Sequence, residues 1–273
     1  MQRLLFGLLH LIIKRSLERQ TMTLQEFFEK YPRIAVGFSG GVDSSFLLWT
    51  AKNCGAQVGA YYVSTAFQPA FEREDAIRFA SSINVMPKII ELDILSCDEV
   101  AENPPDRCYH CKKRIFGAVA QKAAEDGYTV LVDGTNASDD ASDRPGMRAL
   151  KELRVLSPLR MCGLTKAEIR RQSKEAGLFT WNKPAYACLA TRTPSGERIT
   201  AEGLCRTERA EGILHNMGFS DFRIRSRFGD AVIEVTQPQM PLLLRKQEEV
   251  TGMLKSLGYG SVLLNMEARK PSL

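Results

Sequence analysis

The sequence predicts an α/β protein: a doubly wound parallel sheet followed by a smaller C-terminal α+β domain. Short apolar runs alternate with stretches of helical spacing from residue 33 to residue 176, the pattern of parallel strands joined by crossover helices. A glycine-rich turn, Ser39-Gly40-Gly41-Val42-Asp43-Ser44, falls between the first strand and the first helix of that series. After about residue 195 the order changes to a helix, two strand-like runs, a helix and a last strand.

Residues 33–38 are a short apolar run ending at a glycine turn and read as a buried strand. Residues 44–54 carry Phe46, Leu47, Leu48 and Trp49 at helical spacing, with Gly55 as the stop. Strands are expected over 58–65, 88–92 and 128–132, and helices over 72–83 and 115–124. A further helix over 165–176 opens on Thr165-Lys-Ala-Glu168, the pattern of a capping box. In the second part the expected elements are a helix over 201–217, strands over 222–227 and 231–235, a helix over 238–257 and a strand over 261–266. The join lies in the Thr193-Pro-Ser-Gly196 region. This divides the chain into residues 1–21, 22–195 and 196–273.

At 273 residues, 44% apolar and 25% charged, the chain has the make-up of a globular protein with one large core or two modest ones. Its net charge of +5 suits an anionic substrate but does not argue for nucleic acid. The seven cysteines, at 54, 97, 108, 111, 162, 188 and 205, lack the density of a disulfide scaffold and point to free thiols in a reducing compartment. The apolar run at residues 4–13 is too short to span a bilayer. Its charges, Lys14, Arg15, Glu18 and Arg19, follow it rather than precede it as in a signal peptide. Met22 also opens a sensible domain, so the first 21 residues are read as an extension that need not be native. A cytoplasmic protein without a membrane anchor is expected.

The glycine-rich turn carries the first chemistry. Adjacent glycines let the backbone approach an anion closely, and the amides at a helix N-terminus point at phosphate oxygens. Ser39 and Ser44 add hydroxyls, and Asp43 suits a phosphate that carries Mg²⁺. The spacing is not that of a Walker loop. The turn resembles the phosphate loop of the PP-loop superfamily, HUP-like proteins that cleave ATP between the α and β phosphates. They usually activate a carboxylate, amide or carbonyl oxygen as an adenylate. Asp133-Gly134-Thr135-Asn136, after a predicted strand, resembles the second conserved turn of those proteins. The resemblance implies ATP bound by Ser39, Gly40, Gly41, Asp43, Ser44, Gly134 and Thr135.

Two cysteine segments narrow the resemblance. Asn103-Pro-Pro-Asp-Arg-Cys-Tyr-His-Cys-Lys112 and Lys183-Pro-Ala-Tyr-Ala-Cys-Leu-Ala-Thr-Arg192 resemble the LarE family of ATP-dependent sacrificial sulfur transferases. The likeness covers nearly the whole chain after residue 22. It implies adenylation of a pyridinium dicarboxylate mononucleotide, a thioester with Cys188, and loss of the cysteine sulfur to leave dehydroalanine. The product leads to the nickel-pincer nucleotide cofactor of lactate racemase. By the same resemblance Arg192 joins Cys188 in catalysis, and Arg223 and Arg225 hold the substrate's phosphate, with Arg227 as a helper. Glu211 and Glu234 match acidic positions used for a divalent metal, and the assembly is a hexamer. Alternation on a strand puts Arg223 and Arg225 on one face, which suits phosphate independently.

Some relatives carry a [4Fe–4S] cluster on three cysteines. Here Arg192 stands four residues after Cys188, where a partner is expected, and the sacrificial version is favoured. Cys108 and Cys111 form a lone pair without the second pair a zinc site needs; they read as a structural segment near the active site. Competing readings are an amidating enzyme like NAD synthetase, a tRNA thiolase, and a nucleotide-binding protein without catalysis. The first needs ammonia, often from a glutaminase domain for which the chain leaves no room. The second usually carries an RNA-binding module and more basic charge. The intact loop and Cys188 argue against the third.

Overall fold

A computed structural model describes residues 22–139 and 145–270. The expectations placed on residues 1–21 lie outside the described residues. The first domain is built on a four-stranded parallel sheet of order β3-β2-β1-β4, formed by β1 (Arg33–Gly37), β2 (Gln57–Ser64), β3 (Lys88–Glu91) and β4 (Leu131–Val132). From β1 the chain moves outward through β2 to β3, then returns to place β4 on the other side of β1. This makes a topological switch point between β1 and β4, where open α/β sheets bind ligands at their carboxyl ends.

Period-two alternation sends the strand side chains to both faces. Ile34, Val36, Ala60 and Tyr62 enter one core with Phe46, Leu47 and Leu48 of α2 (Val42–Asn53) and Phe79 of α3 (Ala70–Ser82). Ala35, Tyr61 and Val63 enter the other with Val119 and Ala123 of α5 (Arg107–Glu125). Before β1, α1 (Leu24–Lys30) opens on a complete capping box between Thr23 and Glu26. Between β3 and α5 lies the short α4 (Asp98–Ala101).

The expected strands and helices are present, several of them with changed bounds. Helix α5 begins at Arg107 rather than 115, because its first two turns, crowded with Arg107, Lys112, Lys113 and Arg114, show little apolar periodicity. Strand β4 keeps only two of the five expected residues. Two helices not read from sequence, α6 (Pro145–Glu152) and α7 (Pro158–Met161), follow β4. In α8 (Lys166–Glu175) only half of the capping box forms: Thr165 accepts from the Glu168 amide, while the Glu168 carboxylate is taken by Arg171 and Gln172.

The second part holds α9 (Ala201–Asn216) against a three-stranded sheet of order β5-β6-β7. Strands β5 (Arg223–Arg227) and β6 (Asp230–Glu234) are antiparallel; β7 (Val262–Leu264) pairs parallel to β6. The helix expected over 238–257 is two, α10 (Met240–Arg245) and α11 (Gln247–Ser256), which change direction at Lys246. The break lets Leu243 on one helix and Val250 and Leu254 on the other reach the same core. The two parts are stitched together: Leu189 and Ala190 pack with Phe67, Val100, Ile199 and Leu204 in one apolar cluster. Asn103 receives the Gly196 amide at 2.8 Å and donates to the Pro194 carbonyl at 2.7 Å.

Candidate active site

The phosphate loop and the Asp133–Asn136 turn meet at the switch point. Gly40 has φ +73°, and a Cβ there would lie 2.6 Å from the Cβ of Ala76, so α3 packs directly on the loop. A Cβ on Gly134 would lie 2.9 Å from the Ser44 amide nitrogen, which makes glycine a requirement of the close approach between the two turns. Gly41 is the N-cap of α2 and gives no side-chain hydrogen bond to the first turn. The opening amides of a twelve-residue helix are thus left for a ligand. Ser39 Oγ and Ser44 Oγ stand 3.0 Å apart at this mouth.

Asp43 lies on the first turn of α2. It pairs with Lys166 Nζ and accepts from Asn136 Nδ2 at 3.4 Å. Burial pushes its carboxyl above the usual range, and Lys166 opposes the shift. Thr135 turns its hydroxyl to Asp133, whose other oxygen accepts from Ser157 Oγ at 2.6 Å. Thr135 therefore braces its own turn. Lys166 was not anticipated: it is 123 residues from Asp43 in sequence, and no local pattern links them. The uncapped helix, the glycine cradle and the Asp43–Lys166 pair fit Mg·ATP, with Asp43 a residue that could hold the cation and Lys166 paired to it at the same mouth.

Cys188 starts a single helical turn, Leu189–Arg192. Its backbone is fixed on several sides. The Leu189 amide donates to the Phe67 carbonyl at 2.9 Å, and Thr191 Oγ1 donates to the Cys188 carbonyl at 2.8 Å. Arg192 is 1% exposed, and its Nη1 donates to the Ala187 carbonyl at 2.9 Å and to Thr191 Oγ1 at 2.9 Å. Its other edge forms a bidentate pair with Glu211, at 2.8 and 3.1 Å. Arg192 is thus a clamp on the Cys188 turn rather than an exposed group.

Glu211 is saturated: it also accepts from Tyr186 Oη at 2.6 Å and the Ile224 amide at 3.0 Å. Glu234 pairs with Arg225 at 2.6 Å. The two carboxylates expected at a divalent metal are each committed to an arginine, and among the described residues no three His, Cys, Asp or Glu side chains are arranged to hold a metal ion. Arg223 and Arg225 do face one way, toward the Cys188 segment. Arg223 donates to the Ala185 carbonyl at 3.1 Å and lies over the Tyr186 ring; Arg225 donates to the Thr191 carbonyl at 2.8 Å. Burial and the neighbouring Arg192 and Arg269 charges push the Arg223 guanidinium down, the mark of crowded positive charge that an anion would relieve. Arg227, expected as a helper, is exposed at the end of β5.

Cys111, near the start of α5, packs with Cys188 against one apolar cluster, and Cys108 Sγ lies 3.9 Å from Arg107 Nη2. Burial pushes the Cys111 thiol up to about 12 and also raises Cys188. Sequence spacing alone did not show this approach. The two sites share α3. Its Ala76 packs on Gly40, its Glu72 and Asp75 pair with Lys183 at 3.2 and 3.0 Å, and Phe71 meets the Tyr186 ring edge-on.

Parallel sheet, switch-point phosphate loop and second turn define a PP-loop protein. No family model matches the chain. It is 33% identical over 255 residues to an uncharacterised protein of Synechocystis, covering 92% of this chain and 95% of that one. It is 29% identical over 253 residues to the pyridinium-3,5-bisthiocarboxylic acid mononucleotide synthase of Lactiplantibacillus plantarum, covering 92% of each. A tRNA-specific 2-thiouridylase of Thermotoga is 25% identical over 72% of this chain and 69% of its own. The chain belongs to the LarE family.

Proposed function

We propose that this protein is an ATP-dependent sulfur transferase that acts on a carboxylate of a pyridinium dicarboxylate mononucleotide, with Cys188 as the sulfur donor, in the making of a nickel-pincer nucleotide. The observation that carries this is the shared helix α3: it seats the phosphate loop through Ala76 and the Cys188 strap through Glu72, Asp75 and Phe71. In this reading activation by ATP and attack by a thiol fall on two sides of one element. The kinship with a bisthiocarboxylic acid mononucleotide synthase supports the substrate class.

In this reading the α2 amides, Ser39 and Ser44 hold the ATP phosphates while a substrate carboxylate attacks the α phosphorus and pyrophosphate leaves. Bound Mg²⁺ supplies charge neutralisation on the leaving pyrophosphate, with Asp43 as its holder. The Cys188 thiolate then attacks the acyl carbon and expels AMP, forming a thioester. Removal of the Cys188 α-proton drives cleavage of its Cβ–Sγ bond. The electron pair leaves with sulfur as a thiocarboxylate, and dehydroalanine remains in the chain. The Arg192–Glu211 clamp fixes the turn in which this occurs, and Arg223, supported by Arg225, offers positive charge to the nucleotide phosphate. An oligomer of six copies is part of the same proposal.

The test is pyrophosphate release with ATP, Mg²⁺ and the pyridinium dicarboxylate mononucleotide. Release that depends on the carboxylate is expected, and Cys188→Ala is expected to retain it while yielding no sulfurated product. No carboxylate-dependent release would leave a nucleotide-binding protein without this activity. A specific gel shift of tRNA would move the reading to a tRNA thiolase.

A further inference from the structure

Resting on that reading, the geometry points to a positioning residue for Cys188 that lies outside both sequence motifs' obvious chemistry. We propose that Arg107, at the first turn of α5, seats the Cys188 turn and supplies the positive charge against which the Cys188 thiol ionises.

Arg107 is 8% exposed. Its Nη1 donates to the Ala190 carbonyl, two residues from Cys188, at 2.9 Å and to Asn103 Oδ1 at 2.6 Å. Its Nη2 reaches Cys108 Sγ at 3.9 Å. All these acceptors are neutral. Among the described residues no carboxylate forms an ion pair with Arg107, although a buried guanidinium without a counter-ion is costly. Among the described residues Arg107 is thus a buried cation without an ion-pair partner, next to the Cys108 thiol.

The other cation near Cys188 is spent. Arg192 has its charge matched by the bidentate Glu211 carboxylate and its remaining donors on Ala187, Cys188 and Thr191. Arg225, beyond the turn, is matched by Glu234. Cys108 opposes ionisation of Cys188, and the Thr191 backbone favours it. Arg107 is the foremost of the groups that favour it, set against a burial that disfavours it. Burial pushes the Cys188 thiol up, and Arg107 opposes the shift.

The experiment follows alkylation of Cys188 by iodoacetamide against pH, read peptide by peptide by mass spectrometry on the full chain. Arg107→Gln keeps hydrogen-bonding capacity without charge, and Arg107→Lys keeps charge. In Arg107→Gln the Cys188 midpoint is expected to rise by about one pH unit, making alkylation below the midpoint roughly tenfold slower. Arg107→Lys is expected to recover most of that loss. Exposed Cys205, on α9, serves as the internal reference and should keep its profile in both variants, with circular dichroism checking the fold. An unmoved Cys188 midpoint in a folded Arg107→Gln protein would overturn the proposal, as would equal midpoints for the Gln and Lys variants. Because alkylation needs no substrate, the outcome is independent of the sulfur-transfer reading: normal transfer by Cys188→Ala would sink that reading and leave the alkylation result standing.

Discussion

The phosphate loop and the Cys188 turn are built in opposite ways. The loop is six contiguous residues whose anion-binding capacity comes from backbone amides at the end of β1 and the start of α2. The Cys188 turn is held by side chains from three distant segments: Arg107 on α5 and Arg225 on β5 donate to its carbonyls, and Glu211 on α9 pairs with its Arg192. A site made of backbone is written locally and tolerates change around it. A site made of buried charges depends on every partner, so damage to it shows in stability as well as in chemistry.

Substitutions separate the two. The largest effect belongs to Cys188→Ala, expected to abolish sulfur transfer while pyrophosphate release and thermal stability stay near the parent's, measured by product mass and by melting. Asp43→Ala is expected to cut pyrophosphate release by roughly a hundredfold, since the pyrophosphate loses its metal anchor. A steady-state assay checks this, and unfolding in urea should change little because Asp43 sits at a ligand mouth. Glu211→Gln strips the counter-charge from buried Arg192, and a loss of about 3–5 kcal/mol in the denaturant midpoint analysis is expected. ATP binding by the surviving folded protein should persist, and its loss in step with sulfur transfer would erase the distinction between the two regions. Gly40→Ala probes their shared helix. A side chain at φ +73° that also meets Ala76 should cost about 1–3 kcal/mol. Because α3 carries both sites, it should weaken ATP binding and alter Cys188 alkylation together.

The same contrast explains what could be read from sequence. The loop, its glycines and its flanking strand and helix lie within residues 33–54, and the residues named there occupy the switch point in the structure. The strands of both sheets were legible as short apolar or strand-like runs, β4 only in part. The start of α5 was hidden because its first turns carry function-bearing cations and cysteines where a core-facing stripe would show. Lys166, Tyr186 and Arg107 were missed for another reason: each acts on a residue far away in the chain, and nothing in its own neighbourhood marks the contact. Arg192 and Glu211 were both singled out, but spacing held no sign that they are each other's partners. The structure shows that pairing, a buried bidentate contact between Arg192 and Glu211.

Intact-protein and peptide mass spectrometry, before and after reaction with ATP, Mg²⁺ and the pyridinium dicarboxylate mononucleotide, tests the central claim most directly. The account predicts that the chain loses the mass of one H₂S and that the loss maps to Cys188 as dehydroalanine. Sulfurated product formed while Cys188 keeps its full mass would contradict it and place the sulfur's origin elsewhere.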